Sequence, residues 1–393
     1  MAEELDVGII GCGLLGLAHA DALSKNDMSR VVAVADVRSE VAERAAEQVG
    51  ATAYAEYGEM LTRETLDLVV VATPDPLHRA PIEVAAQTGV PYIVTEKPMA
   101  TTVEDAEAIR ATVKATGSTL YVFFPNRYAP LDNALRYAIR KGLIGEAVYG
   151  EVRLDDHILV PTAMWGDRSK EWAGGSSPAH FLLSHVVDLM RWYVEPAEVT
   201  EVFAITQQEV LGYTPDVYDA FLFFDNGMKV RVKAEWIKHM DGLVEFYEHV
   251  AGCTGSIYYN KIPGFGTQAG LRVDVDQSMG RDQLFAHQEM LSRKGLRSKA
   301  ILDPGSRSPV ALEFPAEENR SDRGDVWEYY LRSMVEGKID PTDGEGPGRP
   351  GTLEDGFRQV QIVCAIIESA RTGCVVKIES ETELAFGAEK ERT

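Results

Sequence analysis

The 393-residue chain carries 61 Asp and Glu against 39 Lys and Arg, a formal charge of −22. So acidic a surface repels nucleic acid and anionic membranes, which argues against either as a partner. With 45% hydrophobic and 25% charged residues the composition is that of a soluble globular protein, and the length points to two domains. Met1–Asp6 has no basic leader, and the apolar run Val7–Leu17 is broken by glycines, so neither a signal peptide nor a membrane span is expected there. No later segment reaches the roughly eighteen uninterrupted apolar residues of a spanning helix. Cys12, Cys253, Cys364 and Cys374 are scattered without CxxC spacing, which suggests neither zinc nor a disulfide scaffold. A cytoplasmic location and no metal are the expectations.

In chain order, the first third alternates strand and helix patterns. Strands are predicted at Val7–Ile10, Val31–Val37, Asp67–Thr73, Tyr92–Thr95 and Thr119–Phe124. Helices are predicted at Leu14–Ser24, Glu40–Val49, Leu77–Thr88 and Val103–Thr116. The Asp67–Thr73 run is nearly all β-branched, as suits a strand buried on both faces. This alternation predicts a Rossmann-type, doubly wound parallel sheet over residues 1–125. Beyond it the pattern changes. A helix at Leu131–Lys141 is followed by strand-like stretches at Val199–Gln207, Phe221–Phe224, Lys229–Lys233, Val244–Ala251, Ser256–Tyr259 and Leu271–Val275. Asp225-Asn226-Gly227 between two of them is a hairpin signal. Residues 126–393 therefore read as an α+β domain with a mostly antiparallel open sheet. One covering helix begins near Pro178, with Ser177 as its cap, and another spans Leu353–Ala370. Arg281–Asn319 reads as polar and irregular, Gly344–Gly351 as a loop, and the tail from Glu379 as frayed. There are no internal repeats.

The first strand runs into Gly11-Cys12-Gly13-Leu14-Leu15-Gly16 and then a helix, a GxGxxG motif in its required context. Gly11 allows the turn, Gly13 lets backbone approach a pyrophosphate, and Gly16 permits close packing; the helix start, at Leu14 and Leu15, offers unpaired N–H groups to phosphate. Asp36 ends the second strand, twenty residues past Gly16, where a carboxylate accepts hydrogen bonds from an adenosine ribose. That favours NAD. Arg38, two residues on, could pair with a 2′-phosphate, so NADP stays possible. The bland alternative is a structural glycine turn beside a surface Asp.

Three more segments carry chemistry. Val70-Val71-Ala72-Thr73-Pro74-Asp75-Pro76-Leu77-His78 and Thr95-Glu96-Lys97-Pro98 lie at strand ends, on the carboxyl edge where open α/β sheets bind ligands. Gly174-Gly175-Ser176-Ser177-Pro178 leads the helix that carries His185 and Asp188. With these motifs, and the Asn126-Arg127-Tyr128 boundary in the same order, nearly the whole chain resembles the Gfo/Idh/MocA family of sugar and polyol oxidoreductases.

The resemblance implies a catalytic Lys97 near the nicotinamide and the substrate hydroxyl, with His185 as acid/base and Asp188 orienting it or binding substrate. It implies cofactor contacts from Thr73, Pro74, His78 and Glu96, and a substrate contact from Arg127. Core or surface roles are the alternative for each; for His78, a surface position at a helix start. Many relatives carry Asp four residues before the histidine. Here Phe181 stands there, so His180, Asp156 or His157 compensates, or the substrate binds differently. Phe181 either stacks on an apolar sugar face or fills the core, as do Trp165, Trp172, Trp192, Tyr149 and Tyr193. The expected activity is NAD(P)-dependent hydride transfer at a secondary hydroxyl or ketone of a sugar, polyol or glycoside, in a homodimer or homotetramer. The alternatives are a redox-neutral sugar-modifying enzyme working through a keto intermediate, and a non-catalytic dinucleotide-sensing regulator.

Overall fold

The computed structural model describes residues 4–264, 266–276, 278–320, 323–336 and 350–378. The first elements are β1 (Leu5–Ile10), α1 (Leu14–Ser24), β2 (Ser29–Ala35), α2 (Ser39–Val49), β3 (Thr52–Tyr54), α3 (Tyr57–Arg63), β4 (Leu68–Val71), α4 (Arg79–Gln87), β5 (Tyr92–Glu96), α5 (Val103–Thr116) and β6 (Thr119–Phe123). There follow α6 (Pro130–Arg140), β7 (Ala147–His157), α7 (Leu159–Ala163), α8 (Ser169–Gly175), a π-type turn (Ala179–Leu183), α9 (Ser184–Val194), β8 (Val199–Gln207), β9 (Val217–Phe224) and β10 (Lys229–Lys238). The last are β11 (Val244–Gly252), β12 (Ser256–Ile262), β13 (Gly270–Asp274), α10 (Arg281–Arg293), β14 (Lys299–Leu302), β15 (Pro309–Pro315), α11 (Arg323–Glu336), β16 (Gly351–Thr352), α12 (Leu353–Thr372) and β17 (Val376–Lys377).

These elements form two compact units, Met1–Ala129 with Arg320–Val360, and Pro130–Asn319 with Gln361–Thr393. The chain thus returns to the first unit after building most of the second.

The first unit holds a seven-stranded sheet in the order β16-β6-β5-β4-β1-β2-β3. All pairs are parallel except β16 with β6. Every residue of β4 is fully buried, as the β-branched run demands of a strand covered on both faces. From β1 the chain winds outward to β2 and β3, then returns to β4 on the other side. That reversal is the topological switch point, where loops diverge and leave a crevice. The register matters more than the order. Ile10 pairs with Ala35 and with Val71, and Val71 pairs with Thr95. The loops after β1, β2, β4 and β5 therefore leave the sheet side by side, on strands about 4.8 Å apart.

The second unit is built on a ten-stranded sheet, β14-β15-β13-β12-β11-β7-β10-β9-β8-β17. All its pairings are antiparallel except β10 with β7. The inward residues Val152, Leu154, Val230, Val232 and Trp236 share one core with Leu135 of α6 and Val186, Leu189 and Trp192 of α9. Asn226 lies in the turn expected between β9 and β10, and its side chain accepts the Met228 N–H. Arg281–Asn319 is more regular than expected, since it contains α10, β14 and β15. Of the expected loop Gly344–Gly351, only its last two residues are described, and Gly351 begins β16; the tail from Glu379 lies outside the described residues.

Polar groups also enter this core. The fully buried Asp132 of α6 accepts from Lys261 Nζ at 2.6 and 2.8 Å, from the Tyr193 hydroxyl at 2.9 Å and from the Tyr259 hydroxyl at 3.2 Å. Glu248 of β11 is also fully buried, and among the described residues neither carboxyl oxygen has a hydrogen-bond partner. Burial first, then the like charge of Asp132, push this carboxyl up to about 8 against the opposing pull of Lys261 and of the nearby Tyr193 hydroxyl, whose hydrogen bond goes to Asp132.

Candidate active site

The glycine turn shows why each glycine is there. Gly11 has φ +91°, and a Cβ on it would lie 2.6 Å from the Ala72 carbonyl oxygen. A Cβ on Gly16 would lie 1.8 Å from the Gly11 carbonyl oxygen, so α1 can pack against the turn only without a side chain there. Gly13 is different: a Cβ there would meet nothing within 4 Å. Gly13 precedes the first turn of α1 and makes no side-chain cap, while Leu14 and Leu15 are exposed beside it. The result is a helix N-terminus with open space above bare backbone, which suits a pyrophosphate.

Asp36 follows β2. One of its oxygens accepts the Cys12 N–H at 3.0 Å, and the other accepts the Arg38 N–H at 3.0 Å and Nε at 3.2 Å. The carboxylate that would take a ribose diol is thus anchored to the glycine turn itself. Arg38, read as a possible 2′-phosphate ligand, is 42% exposed and pairs with that carboxylate. Cys12 is buried against the Ala35 carbonyl, and its thiol is pushed up to about 12 by burial and by Asp36, against Arg38. It is therefore no thiolate nucleophile.

At the next strand ends, Thr73 is half-buried and Pro74 exposed, so this loop is open to a ligand. His78 is fully buried, which corrects the surface alternative. Its Nδ1 lies 2.8 Å from the Pro98 carbonyl oxygen and its Nε2 2.9 Å from that of Thr73. The ring ties together the loops after β4 and β5, a fixing role at the cofactor edge. Glu96 ends β5 and Lys97 follows it; both are buried, at 6% and 7% exposure. Glu96 Oε1 is 2.7 Å from Nε2 of His19, a residue that sequence reasoning missed. His19 falls on the buried face of α1 three residues after Gly16, and helical periodicity gave no sign of its partner.

Arg127, expected at the substrate, is fully buried. Its guanidinium reaches Asp355 at the start of α12 at 3.4 Å and lies over the Phe124 ring. These contacts link the segment after β6 to the start of α12 within the first unit.

The second unit carries the histidine helix. Ser177 caps it as expected, its hydroxyl accepting the His180 N–H at 3.2 Å. The segment does not begin as a regular α-helix, because Ala179–Leu183 forms a π-type turn. The side chains from Phe181 to His185 therefore do not follow regular α-helical spacing, and such wide turns recur at functional sites. From Ser184 onward the helix is regular. His185 is half-buried and Asp188 buried, three residues apart on one face. His180 is half-buried, and its Nδ1 is 2.9 Å from the Ser177 hydroxyl. Phe181 is half-buried in an aromatic cluster, 4.9 Å from Trp172, 6.2 Å from Trp236 and 6.3 Å from Trp165 between ring centroids. Trp192 and Tyr193 belong to the core, and Tyr149 lies on the opposite sheet face, half-buried.

An open glycine turn at a switch point, with an anchored acidic residue after β2, defines a dinucleotide-binding Rossmann oxidoreductase. Residues 5–124 match the model described as "Oxidoreductase family, NAD-binding Rossmann fold", and residues 133–258 match the GFO/IDH/MocA C-terminal domain. The chain belongs to the Gfo/Idh/MocA oxidoreductase family. It is 31% identical over 346 residues to an uncharacterized oxidoreductase of Streptococcus pneumoniae, covering 84% of this chain and 87% of that one. It is 24% identical over 381 residues to an inositol 2-dehydrogenase of Rubrobacter xylanophilus, covering 96% and 94%. A levoglucosan dehydrogenase solved in complex with NADH and levoglucosan has the same fold, with TM-score 0.74, 21% identity and coverage of 96% and 100%.

Proposed function

We propose that this enzyme moves a hydride between NAD and a secondary hydroxyl or ketone of a sugar, polyol or glycoside. The observation that carries the reading is the placement of Lys97. It directly follows β5, in a sheet whose register sets that loop in line with the glycine turn and Asp36. Gly11, Gly13, Gly16 and the start of α1 would hold the pyrophosphate, Asp36 the adenosine ribose, and the Thr73–Pro74 loop, fixed by His78, the nicotinamide half. The nicotinamide supplies the hydride acceptor or donor when bound. Lys97 Nζ takes or returns the hydroxyl proton and stabilises the charge that develops on oxygen. His185 is the acid/base group of the second unit, with Asp188 one helical turn away to orient it. Asp36 makes NAD the preferred form, since its charge repels a 2′-phosphate. The relatives named after inositol and levoglucosan support a polyhydroxylated substrate. We assign the enzyme to the cytoplasm as a homo-oligomer.

A panel of sugars, polyols and glycosides with NAD⁺ and NADP⁺, followed as reduced-nicotinamide absorbance, tests the reading. Absorbance growth with at least one such substrate, lost on Lys97→Met by about 10²–10⁴-fold, is the expected result. Binding of NADH without turnover of any of them would turn the reading toward a dinucleotide sensor. Substrate conversion without net absorbance change would turn it toward redox-neutral chemistry.

A further inference from the structure

We infer that His19 and Trp327 form a positioning relay that orients Glu96, and through it the catalytic Lys97; this rests on the proton role given to Lys97 above. His19 is fully buried on α1, one turn beyond the glycine loop. Trp327 of α11, 308 residues later in the chain, places its indole Nε1 3.0 Å from His19 Nδ1. An indole nitrogen can only donate a hydrogen bond. His19 Nδ1 must then accept, so the ring hydrogen sits on Nε2 and is donated to Glu96 Oε1 at 2.7 Å. The indole thereby selects the histidine tautomer, and the tautomer presents a donor to the carboxylate. The other carboxylate oxygen makes a longer contact, 3.4 Å, with the backbone N–H of Lys97. One chain of hydrogen bonds runs from α11 through α1 to the peptide that carries the reactive lysine.

The surroundings hold this chain in place. The Phe123 ring meets His19 edge-on at 4.7 Å and lies 5.2 Å from Trp327. Tyr330, one turn along α11, stacks on Phe123 at 5.2 Å and donates its hydroxyl to the Val122 carbonyl at 2.8 Å. Trp327 and Tyr330 are both fully buried. A carboxylate as buried as Glu96 requires its donors, because an unmatched buried acceptor bears the full desolvation cost. Without the imidazole N–H, Glu96 would turn to seek another donor and draw on the Lys97 backbone. This gives a function to the return of α11 to the first unit: a late segment of the chain secures Glu96 through His19.

The test compares His19→Leu, which keeps bulk and loses the donor, with His19→Gln, which keeps a donor near the Nε2 position, and with Trp327→Phe, which keeps a ring and loses the N–H. For each, kcat across pH, KM for NAD⁺, NADH Kd and Tm are measured on the full chain with the best substrate of the panel. The expected result for His19→Leu is a 10- to 100-fold fall in kcat, a displaced kcat–pH profile and an NADH Kd within about threefold of the parent, the size expected when a hydrogen bond to a charged group is lost. His19→Gln should recover most of kcat, and Trp327→Phe should fall between them. Equal kcat for the Leu and Gln variants, or an unmoved pH profile in all three, overturns the relay. If His19→Leu does not fold, Trp327→Phe decides: parental kcat and pH profile in that variant overturn it. Lys97→Met separates the two levels. Near-normal turnover in Lys97→Met refutes the proton role and the relay with it, whereas an inactive Lys97→Met beside a fully active His19→Leu refutes the relay alone.

Discussion

Replacing Glu248 by Gln should stabilise the enzyme above neutral pH and do little near pH 5. In the fold this carboxyl stands at about 8 instead of its ordinary 4.5, because burial and the neighbouring Asp132 oppose its charge. A raised carboxyl binds a proton in the folded state that the unfolded chain has released. Between the two values, stability therefore falls as pH rises, by about 1.4 kcal/mol per unit for one proton. Integrated from below 4.5, the loss is ~3 kcal/mol at pH 7 and approaches ~5 kcal/mol above pH 8. Gln has nearly the same shape as the protonated acid and cannot ionise, so it removes this slope and leaves the packing against Tyr193 and Tyr259 nearly intact. Thermal unfolding of both proteins from pH 5 to pH 8.5 measures the effect. Other groups that titrate in this range cancel in the difference. The expected outcome is a Tm gap that opens with pH in favour of Glu248→Gln. A gap that stays constant with pH, or that favours the parent at pH 8, would refute the reasoning: Glu248 would then be ionised and stabilised by Lys261.

Three further outcomes are expected. Asp36→Ala should narrow or reverse the preference for NADH over NADPH, since it removes a ribose acceptor and a repelling charge and releases Arg38; titration with both cofactors reads it, and an unchanged ratio would place discrimination elsewhere. Gly16→Ala should weaken NADH binding at least tenfold, because the added methyl would sit 1.8 Å from the Gly11 oxygen and force the turn open; parental affinity in a fluorescence titration would mean the turn can shift freely. Phe181→Asp should lower Tm, with a stability loss of about 3 kcal/mol or more, because it breaks the cluster with Trp172 and Trp236 and sets a charge among their rings. A variant with parental Tm but altered substrate preference would show that Phe181 faces the substrate.

Local rules sufficed for much of the first unit. Periodic strands and helices, the glycine spacing and an acid after the second strand all obey constraints that act within about thirty residues. Leu14–Ser24 and Val103–Thr116 form helices with the bounds expected; Gly117 ends the second in the left-handed conformation, and the structure adds Thr102 as its cap. Strand β7, at the centre of the second sheet, was not legible. Its Glu151, Arg153 and Asp155 lie on the face away from the core and hide the inward Val152 and Leu154 in a charged sequence. The π-type turn that opens the histidine helix was not legible, because hydrophobic pattern alone cannot distinguish it from an α-turn. The burial of His78 and Arg127 was not legible either, because sequence gives residue type and order but not the partners around a side chain; the fold supplies Thr73 and Pro98 carbonyls to one and Asp355 to the other. The sequence by itself determined the dinucleotide turn and the family, and it singled out Lys97 as the lysine proposed to react, because all three are carried by short contiguous motifs. Only the tertiary structure decided what holds that lysine's neighbour, because His19, Glu96 and Trp327 stand 77 and 308 residues from one another along the chain, and a hydrogen bond across such distances leaves no periodicity in the sequence.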